Sequence, residues 1–331
     1  INVVERFGFL IFSILAWIFT FSLETLISCF AGVQLIKALL TYSLTKNYFT
    51  EIDLKWQPAR LMSIFKQAYP FALMGLFGTV SMRIDTIMLK IFHTDAIVGI
   101  YNVARKLMES ITFIPENISY ALFPALSVLY LTQKRQFDRT FQRTFHYLMF
   151  VAILIVIVLF ILSPQIINLL FEPEFARAYI PLRWLSLALG ILFMKFAFTA
   201  LMSAIGKQHL LSILAGIGML INVGLNYLLI PDYDILGASL ASVVSEAIII
   251  ITIIIVIRKT INLPELALPI FKALLAGLVL AVIVYLIQSW NIFLVLILAG
   301  LFYLSLLAAL KVVSKEDVQY FYQFFQKRLF S

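Results

Sequence analysis

Residues 70–124 read PFALMGLFGTVSMRIDTIMLKIFHTDAIVGIYNVARKLMESITFIPENISYALFP. Two long apolar segments meet here at a short polar turn, His93-Thr94-Asp95. Both segments also carry charged residues within sequence that is apolar enough to lie in a lipid bilayer. A charge near the bilayer centre costs about 2.5–3.5 kcal/mol on insertion scales, so such residues usually face a protein interior or a wet cavity. The charges in this stretch are therefore candidates for a functional site.

The composition of the whole chain indicates a membrane protein. Apolar residues make up 63% of the 331 residues, and charged residues only 13%. A soluble domain is roughly half apolar and one quarter charged. Alternating apolar and polar segments are absent from the sequence, so we predict an all-α polytopic protein rather than a β-barrel. The chain has a single cysteine, Cys29, so we predict no intrachain disulfide. Its three histidines do not have metal-ligand spacing, so we predict no metal site and no cofactor.

The apolar segments have the lengths of membrane-spanning helices. A helix that crosses a bilayer needs about 20 mostly apolar residues, and this length predicts about ten such helices here. The polar breaks between them are too short for an extramembrane domain. The predicted spans are 7–23, 25–45, 66–91, 97–129, 145–163, 181–204, 209–230, 235–257, 269–288 and 292–312.

Lysine and arginine are concentrated in alternate loops. The basic loops contain Lys46, Lys55, Arg60 and Lys66, then Lys134, Arg135, Arg139 and Arg143, then Lys207, then Arg258 and Lys259, and finally Lys311, Lys315, Lys327 and Arg328. Because cytoplasmic loops carry the excess of basic residues, we predict that these loops and both ends of the chain are cytoplasmic. Topology thus accounts for much of the net charge of +8, which does not indicate a nucleic-acid partner.

A polar stripe runs along the predicted helix 97–129. Arg105, Glu109 and Glu116 fall within one narrow wedge at helical spacing. Arg105 and Glu109 are four residues apart and can form an ion pair. The alternative is that Arg105 and Lys106 snorkel to the outer interface, but snorkelling does not explain Glu116.

The preceding helix contains a carboxylate that needs a partner. Arg83 and Lys90 share one face, whereas Asp85 points away from Arg83. We therefore expect Asp85 to take a cation from another helix, with Arg105 and Lys106 both at a suitable depth. A purely structural ion pair is the alternative to a functional role.

Two further charges lie in the middle of later spans. Lys195 needs an anion or a cavity, and Glu246 either pairs with Lys195 or serves as a proton or cation site. Asn222 and Asn226 are four residues apart, and we expect them to form hydrogen bonds across helices.

Cations outnumber anions among these intramembrane positions. An excess of positive charge at mid-depth suits an anionic ligand such as a phosphate or pyrophosphate. The candidate residues of a cationic, substrate-binding cavity are Arg83, Lys90, Arg105, Lys106 and Lys195. The candidate coupling or structural carboxylates are Asp85, Glu109, Glu116 and Glu246.

Four stretches resemble one family of membrane proteins. They are PFAL (70–73) leading to RIDTIML (83–89), VGIYNVARKL (98–107) running to ALFPALS (121–127), AIGK (204–207), and NVGLNYLLIP (222–231) followed by LGAS (236–239). In this order the stretches resemble the polysaccharide repeat-unit flippases. These are the O-antigen and capsule type of the multidrug/oligosaccharidyl-lipid/polysaccharide (MOP) exporter superfamily.

The resemblance implies an architecture. The family has about fourteen helices in two six-helix lobes with a C-terminal pair, and this chain resembles helices 5 to 14. We therefore expect a MOP/MATE-like C-terminal lobe with part of an N-terminal lobe whose first helices are missing. The expected domains are 1–59, the last two helices of the N-terminal lobe; 60–257, the C-terminal lobe; and 258–331, the helix pair and a cytoplasmic tail.

The resemblance also implies an activity. It implies alternating-access transport of a polyprenyl-pyrophosphate-linked oligosaccharide across a bacterial or archaeal cytoplasmic membrane. Such transport would supply cell-surface polysaccharide, such as lipopolysaccharide O-antigen or capsule. The implied partners are this lipid-linked oligosaccharide, membrane lipid, a polysaccharide polymerase and glycosyltransferases.

Other functions compete with this interpretation. A cation-coupled multidrug antiporter of the same superfamily would use buried carboxylates without a cation excess. A membrane glycosyltransferase could use Asp232-Tyr233-Asp234 to hold a metal, although a solvated turn explains this motif better. A purely structural subunit leaves the intramembrane charges unexplained. The sequence has no GxxxxGK[ST] motif, so we expect that this chain does not use ATP directly and that an ion gradient or removal of the product supplies the energy. The interpretation as a flippase predicts a transporter and not an enzyme.

Overall fold

The structure is a computed structural model that describes residues 23–48, 58–258 and 263–310, with Gly8, Ile11, Phe12 and Leu15 before them. The chain divides into two compact units, residues 1–64 and residues 65–331. The three-part domain division expected above stays a prediction.

The described residues form long helices joined by short turns. The helices are α1 (Leu23–Tyr48), α2 (Pro58–Phe92), α3 (Asp95–Thr132), α4 (Lys134–Leu170), α5 (Tyr179–Ala204), α6 (Gln208–Ile257), α7 (Leu263–Ile287) and α8 (Ile292–Ala309), with a 3₁₀ turn at Pro173–Ala178 between α4 and α5. No strand occurs in these ranges, and the predicted all-α class is confirmed.

Among the described residues, seven helices are long and apolar enough to cross a membrane. This number treats α6 as one helix, and it confirms a polytopic membrane protein. Helix α3 is not among the seven, because charged and polar residues interrupt its apolar sequence. The predicted span 7–23 lies outside the continuous described ranges. These ranges therefore do not confirm the predicted count of about ten spans.

Helix α5 is the central helix of the larger unit. It packs against α3, α4 and α6, and most of its apolar side chains are buried. Aromatic rings fill the contact with α4, where the centroids of Phe141 and Phe198 lie 5.6 Å apart. Helices α7 and α8 pack against α4 and against each other. Because lipid is as apolar as these side chains, close packing rather than exclusion from water holds such helices together.

Helix α6 consists of two arms that meet at Asp234. Asp234 has φ 54° and ψ −130°, which interrupts the 50-residue helix, and Pro231 precedes the break. The backbone N–H of Ile235 donates to the Asp234 carboxylate. Asn222 of the first arm donates to Ser245 of the second at 3.4 Å, so the arms run antiparallel. The arms correspond to the predicted spans 209–230 and 235–257.

The close approach of the two arms requires a glycine. A Cβ atom at position 237 would lie 2.3 Å from the carbonyl oxygen of Leu229, whereas one at Gly224 would meet no atom within 4 Å. We expect Gly237→Ala to lower the free energy of unfolding by roughly 1–3 kcal/mol, because overpacking against backbone cannot be relieved by a side-chain rotation. Gly224→Ala is the matched control and should be neutral or stabilising, since alanine favours helix. Thermal unfolding in detergent measures both, and equal unfolding temperatures would contradict this assignment.

Candidate functional site

A fully buried carboxylate ties three helical segments together. Asp85 of α2 has 0% exposure. Its Oδ2 atom accepts hydrogen bonds from the Tyr101 hydroxyl at 2.8 Å and from the Arg105 guanidinium at 3.1 Å, both on α3. The same atom accepts from the Ser242 hydroxyl at 2.8 Å, while Oδ1 accepts from the Asn226 amide at 2.7 Å. Asp85 thus binds α3 and both arms of α6, and we call these five residues the Asp85 cluster.

Arg105 is held on more than one side. Its side chain is only 8% exposed, and its Nη2 donates to the carbonyl oxygen of Met82 at 2.6 Å. Its Nε atom lies 3.8 Å from Glu109 Oε1, and that same oxygen lies 3.5 Å from Arg83 Nη1. Buried charges need such partners, because an unpaired charge in a low-dielectric interior carries a large desolvation cost.

Sequence reasoning identified only part of the Asp85 cluster. It proposed Arg105 or Lys106 as the partner of Asp85, and the structure places Arg105 there. It did not identify Tyr101 as a partner, although Tyr101 precedes Arg105 by four residues and therefore shares its helix face. The expected cross-helix hydrogen bonds of the asparagines are present, because Asn226 donates to Asp85 and Asn222 donates to Ser245.

A second ion pair joins α5 to the second arm of α6. Lys195 Nζ lies 2.7 Å from Oε1 and 2.6 Å from Oε2 of Glu246. Unlike Asp85, both partners are partly accessible, with 30% of the Lys195 side chain and 21% of the Glu246 side chain exposed. The Lys195 side chain is thus partly open to its surroundings while its ammonium group pairs with Glu246.

The two ion-paired regions border one cavity of about 250 Å³ between α2, α3, α5 and the arms of α6. Its charged lining residues are Arg105, Glu109, Lys195 and Glu246, so positive and negative charges are equal in number. Most other lining residues are apolar, among them Met74, Met108, Leu192, Phe196 and Ile249. The cavity is thus an apolar space with paired charges on its wall.

Several sequence-predicted site residues lie elsewhere. Lys90 forms an ion pair with Asp95 at the turn between α2 and α3. Lys106 is exposed on α3, and Glu116 accepts a hydrogen bond from the Tyr120 hydroxyl at 3.0 Å. These three charged residues do not line the cavity, and neither do Arg83 and the buried Asp85. The structure thus does not bring together all the cations that the sequence assigned to one site.

The Asp232-Tyr233-Asp234 motif lies at the break of α6. The Asp234 carboxylate lies 3.3 Å from Arg177 Nη2 of the 3₁₀ turn. The described part of the chain contains no group of three or more histidine, cysteine, aspartate or glutamate side chains placed to hold a metal ion. Asp234 therefore has a structural partner at this turn.

Residues 70–228 match the MatE family, and this range contains every member of the Asp85 cluster except Ser242. The matched range is just under half of the chain, and it supports the MOP exporter superfamily that the sequence predicted. The family and the fold relatives are membrane transporters rather than enzymes.

Two curated proteins are similar in sequence. The capsular polysaccharide biosynthesis protein CapF of Staphylococcus aureus is 24% identical over 227 residues, which are 68% of this chain and 57% of CapF. The uncharacterized membrane protein MJ1068 of Methanocaldococcus jannaschii is 26% identical over 177 residues, which are 52% of this chain and 35% of that protein. The chain thus spans about half or less of the length of these relatives.

Two solved structures share the fold. The lipid II flippase MurJ in an inward closed conformation superimposes with a TM-score of 0.70 at 15% identity, covering 93% of this chain and 66% of MurJ. A MOP superfamily transporter from Pyrococcus furiosus gives a TM-score of 0.53 at 16% identity, covering 68% of this chain and 53% of the other. These similarities confirm the MOP fold.

Proposed function

We propose that this chain belongs to a flippase that moves a polyprenyl-pyrophosphate-linked oligosaccharide from the cytoplasmic to the outer leaflet for cell-surface polysaccharide synthesis. The observation that carries the proposal is the partly exposed Lys195 side chain on the wall of a mostly apolar cavity. The similarity to a capsular polysaccharide biosynthesis protein and the fold of a lipid II flippase support this substrate class.

Lys195 and Arg83 are the cations that can exchange partners. The substrate's pyrophosphate carries more than one negative charge and accepts strong charge-assisted hydrogen bonds. It can therefore compete with the single carboxylate of Glu246 for Lys195. Arg83 does not line the cavity, but its Nη1 lies 3.5 Å from Oε1 of Glu109, which does. Because the Arg83 side chain is 61% exposed, this ion pair is weak.

Arg105 has a different role in this proposal. Its guanidinium is buried against Asp85 and the Met82 carbonyl, so it positions the helices instead of moving with the substrate. The exposed Lys106 is proposed to meet the pyrophosphate outside the cavity, and Lys90 to close the turn at Asp95. We also propose the alternating-access translocation cycle and the cytoplasmic placement of both chain ends. A polymerase and glycosyltransferases are the proposed partners.

The proposal is tested with Arg83→Ala in the full-length gene, expressed in a strain that lacks its own flippase. We expect surface polysaccharide to fall several-fold while lipid-linked repeat units accumulate in the inner leaflet, because the variant loses an accessible cation. Lys90→Ala is the control, since Lys90 pairs with Asp95 at the turn between α2 and α3, whereas Arg83 pairs with Glu109 of the cavity wall. Full restoration by Arg83→Ala, at equal membrane levels, would exclude the proposed role of Arg83.

A cation-coupled multidrug antiporter is the second candidate. Glu109 and Glu246 place two carboxylates on an apolar cavity wall, an arrangement that suits an organic cation. Glu109 already lies beside Arg83, and Glu246 lies beside Lys195. Four hydrogen-bond donors likewise surround the carboxylate of Asp85. Both arrangements favour the flippase over the antiporter. If the wild-type gene restored no polysaccharide but lowered drug accumulation, the antiporter would replace the flippase.

A further inference from the structure

One carboxylate lies between two arginines without a hydrogen bond to either. Glu109 Oε1 lies 3.5 Å from Arg83 Nη1 on α2 and 3.8 Å from Arg105 Nε on α3. Glu109 Oε1 and Arg105 Nε are both buried atoms that lack a hydrogen-bond partner among the described residues. The Lys195 ammonium differs, because it makes two short bonds of 2.7 and 2.6 Å to the Glu246 carboxylate. Glu109 therefore occupies a position between two partners.

The unused donor of Arg105 lies within reach of Glu109. An N–H···O hydrogen bond has a length of about 2.7–3.2 Å, so a movement of the carboxylate by roughly 1 Å would make this bond. The two residues are four apart on α3 and share a helix face, so the bond would form within that helix. A buried donor or acceptor without a partner is destabilising, and this one movement would satisfy both atoms. Arg83 attracts Glu109 in the opposite direction.

Arg83 is placed to accept another anion. Its side chain is 61% exposed, and it lies about 14 Å before the end of α2 at Phe92, close to the middle of a bilayer. An exposed arginine at this depth faces a wet space rather than lipid. The guanidinium group binds two phosphate oxygens at once, whereas it makes only a single long contact with Glu109. A phosphate group would therefore displace Glu109 from Arg83.

We propose that Glu109 is a positioning residue that exchanges its partner when the substrate binds. An anion on Arg83 releases Glu109, and the carboxylate then bonds to Arg105 Nε. Glu109 links α3 to α2 before this exchange and only two turns of α3 to each other after it. The proposal rests on the proposed function, because it takes the anion to be the pyrophosphate of the substrate.

Loss of the contact between Arg83 and Glu109 loosens α2 beside the cavity. A second polar link between the two helices, the hydrogen bond of 3.1 Å from the Thr86 hydroxyl to Asn102 Oδ1, lies nearer the turn that joins them. Met74 of α2 lines the cavity and lies on the other side of the contact, farther from this turn. Substrate binding therefore loosens the part of the cavity wall that includes Met74.

The test measures binding of inorganic pyrophosphate to the purified full-length protein in detergent by isothermal titration calorimetry. Glu109→Gln removes the competitor for Arg83 and should bind pyrophosphate several-fold more tightly than the wild type. Arg83→Gln should bind it several-fold more weakly. The double variant Arg83→Gln/Glu109→Gln should bind no better than Arg83→Gln, because Glu109 acts through Arg83. Unfolding temperatures without pyrophosphate establish that each variant is folded.

Glu116→Gln is the matched control for this comparison. It removes the same charge from the same helix, but Glu116 accepts a hydrogen bond from Tyr120 and does not line the cavity, so binding should equal that of the wild type. Equal tightening by Glu109→Gln and Glu116→Gln would reduce the effect to general electrostatics and overturn the proposal. Tightening by Glu109→Gln that persists without Arg83 would also overturn it, as would a wild type that does not bind pyrophosphate.

A distance measurement tests the loosening of α2. Spin labels are attached through Leu76→Cys on α2 and Ile114→Cys on α3, two exposed positions, in full-length protein without other cysteines. Pyrophosphate should lengthen or broaden the distance distribution in the wild type, and Glu109→Gln should show this distribution without pyrophosphate. An equal response to pyrophosphate in both proteins would overturn the role of Glu109. The flippase proposal would remain, because surface polysaccharide with Arg83→Ala tests it separately.

Discussion

Asp85→Asn is expected to destabilise the larger unit more than any other change at one of its charged positions. The substitution removes the negative charge that compensates Arg105, whose side chain is only 8% exposed. It also replaces one acceptor oxygen with an N–H₂ group that faces donors. Breaking a buried ion pair by removing one partner costs about 3–5 kcal/mol. Thermal unfolding of purified protein in detergent should therefore show a large decrease in unfolding temperature.

Asp95→Asn is the matched control for this prediction. It makes the same chemical change in an ion pair with Lys90, but the Asp95 side chain is 82% exposed, so we expect a cost of only about 0–1 kcal/mol. The double variant Asp85→Leu/Arg105→Leu should recover part of the loss, because it removes both buried charges together. If Asp85→Asn unfolded at the same temperature as Asp95→Asn, the Asp85 cluster would not be what joins α2, α3 and α6.

Lys195→Gln is expected to abolish flipping of the lipid-linked oligosaccharide, whereas Glu246→Gln should retain much of it. In the flippase proposal Lys195 binds the pyrophosphate of the substrate. Glu246 forms an ion pair with Lys195 only while no substrate is bound. Removal of the lysine therefore removes a ligand of the substrate, but removal of the carboxylate removes a competitor. Surface polysaccharide in a flippase-null strain is the measurement, with membrane levels of each variant determined in parallel.

The control lysine for this comparison is Lys272 of α7. It also lies within a membrane-spanning helix, but its ammonium donates to the Leu310 carbonyl at 3.3 Å and does not line the cavity. Lys272→Gln should therefore leave surface polysaccharide near the wild-type level. The opposite ranking, with Glu246→Gln inactive and Lys195→Gln active, would favour an antiporter that uses Glu246 as its coupling carboxylate.

The sequence alone predicted the class and the helices of this protein. The length and apolar character of a span are local properties, so the arms of α6 could be predicted as 209–230 and 235–257 before any contact was known. The same local signal was weakest for α3, where Arg105, Glu109 and Glu116 interrupt the apolar sequence. Intramembrane charges identified Asp85, Lys195 and Glu246 as unusual, because each is costly without a partner.

Only the tertiary structure decided which partners these charges take. Arg105 and Lys106 lie at nearly the same depth, so spacing could not choose between them; the rotation of α3 directs Arg105 towards Asp85 and leaves Lys106 exposed. Asn226 and Ser242 reach Asp85 from 141 and 157 residues away, through the hairpin of α6. The equal numbers of positive and negative charges on the cavity wall follow from these pairings. Helix propensity and hydropathy are properties of short segments, whereas a pairing depends on how whole helices rotate and pack against one another.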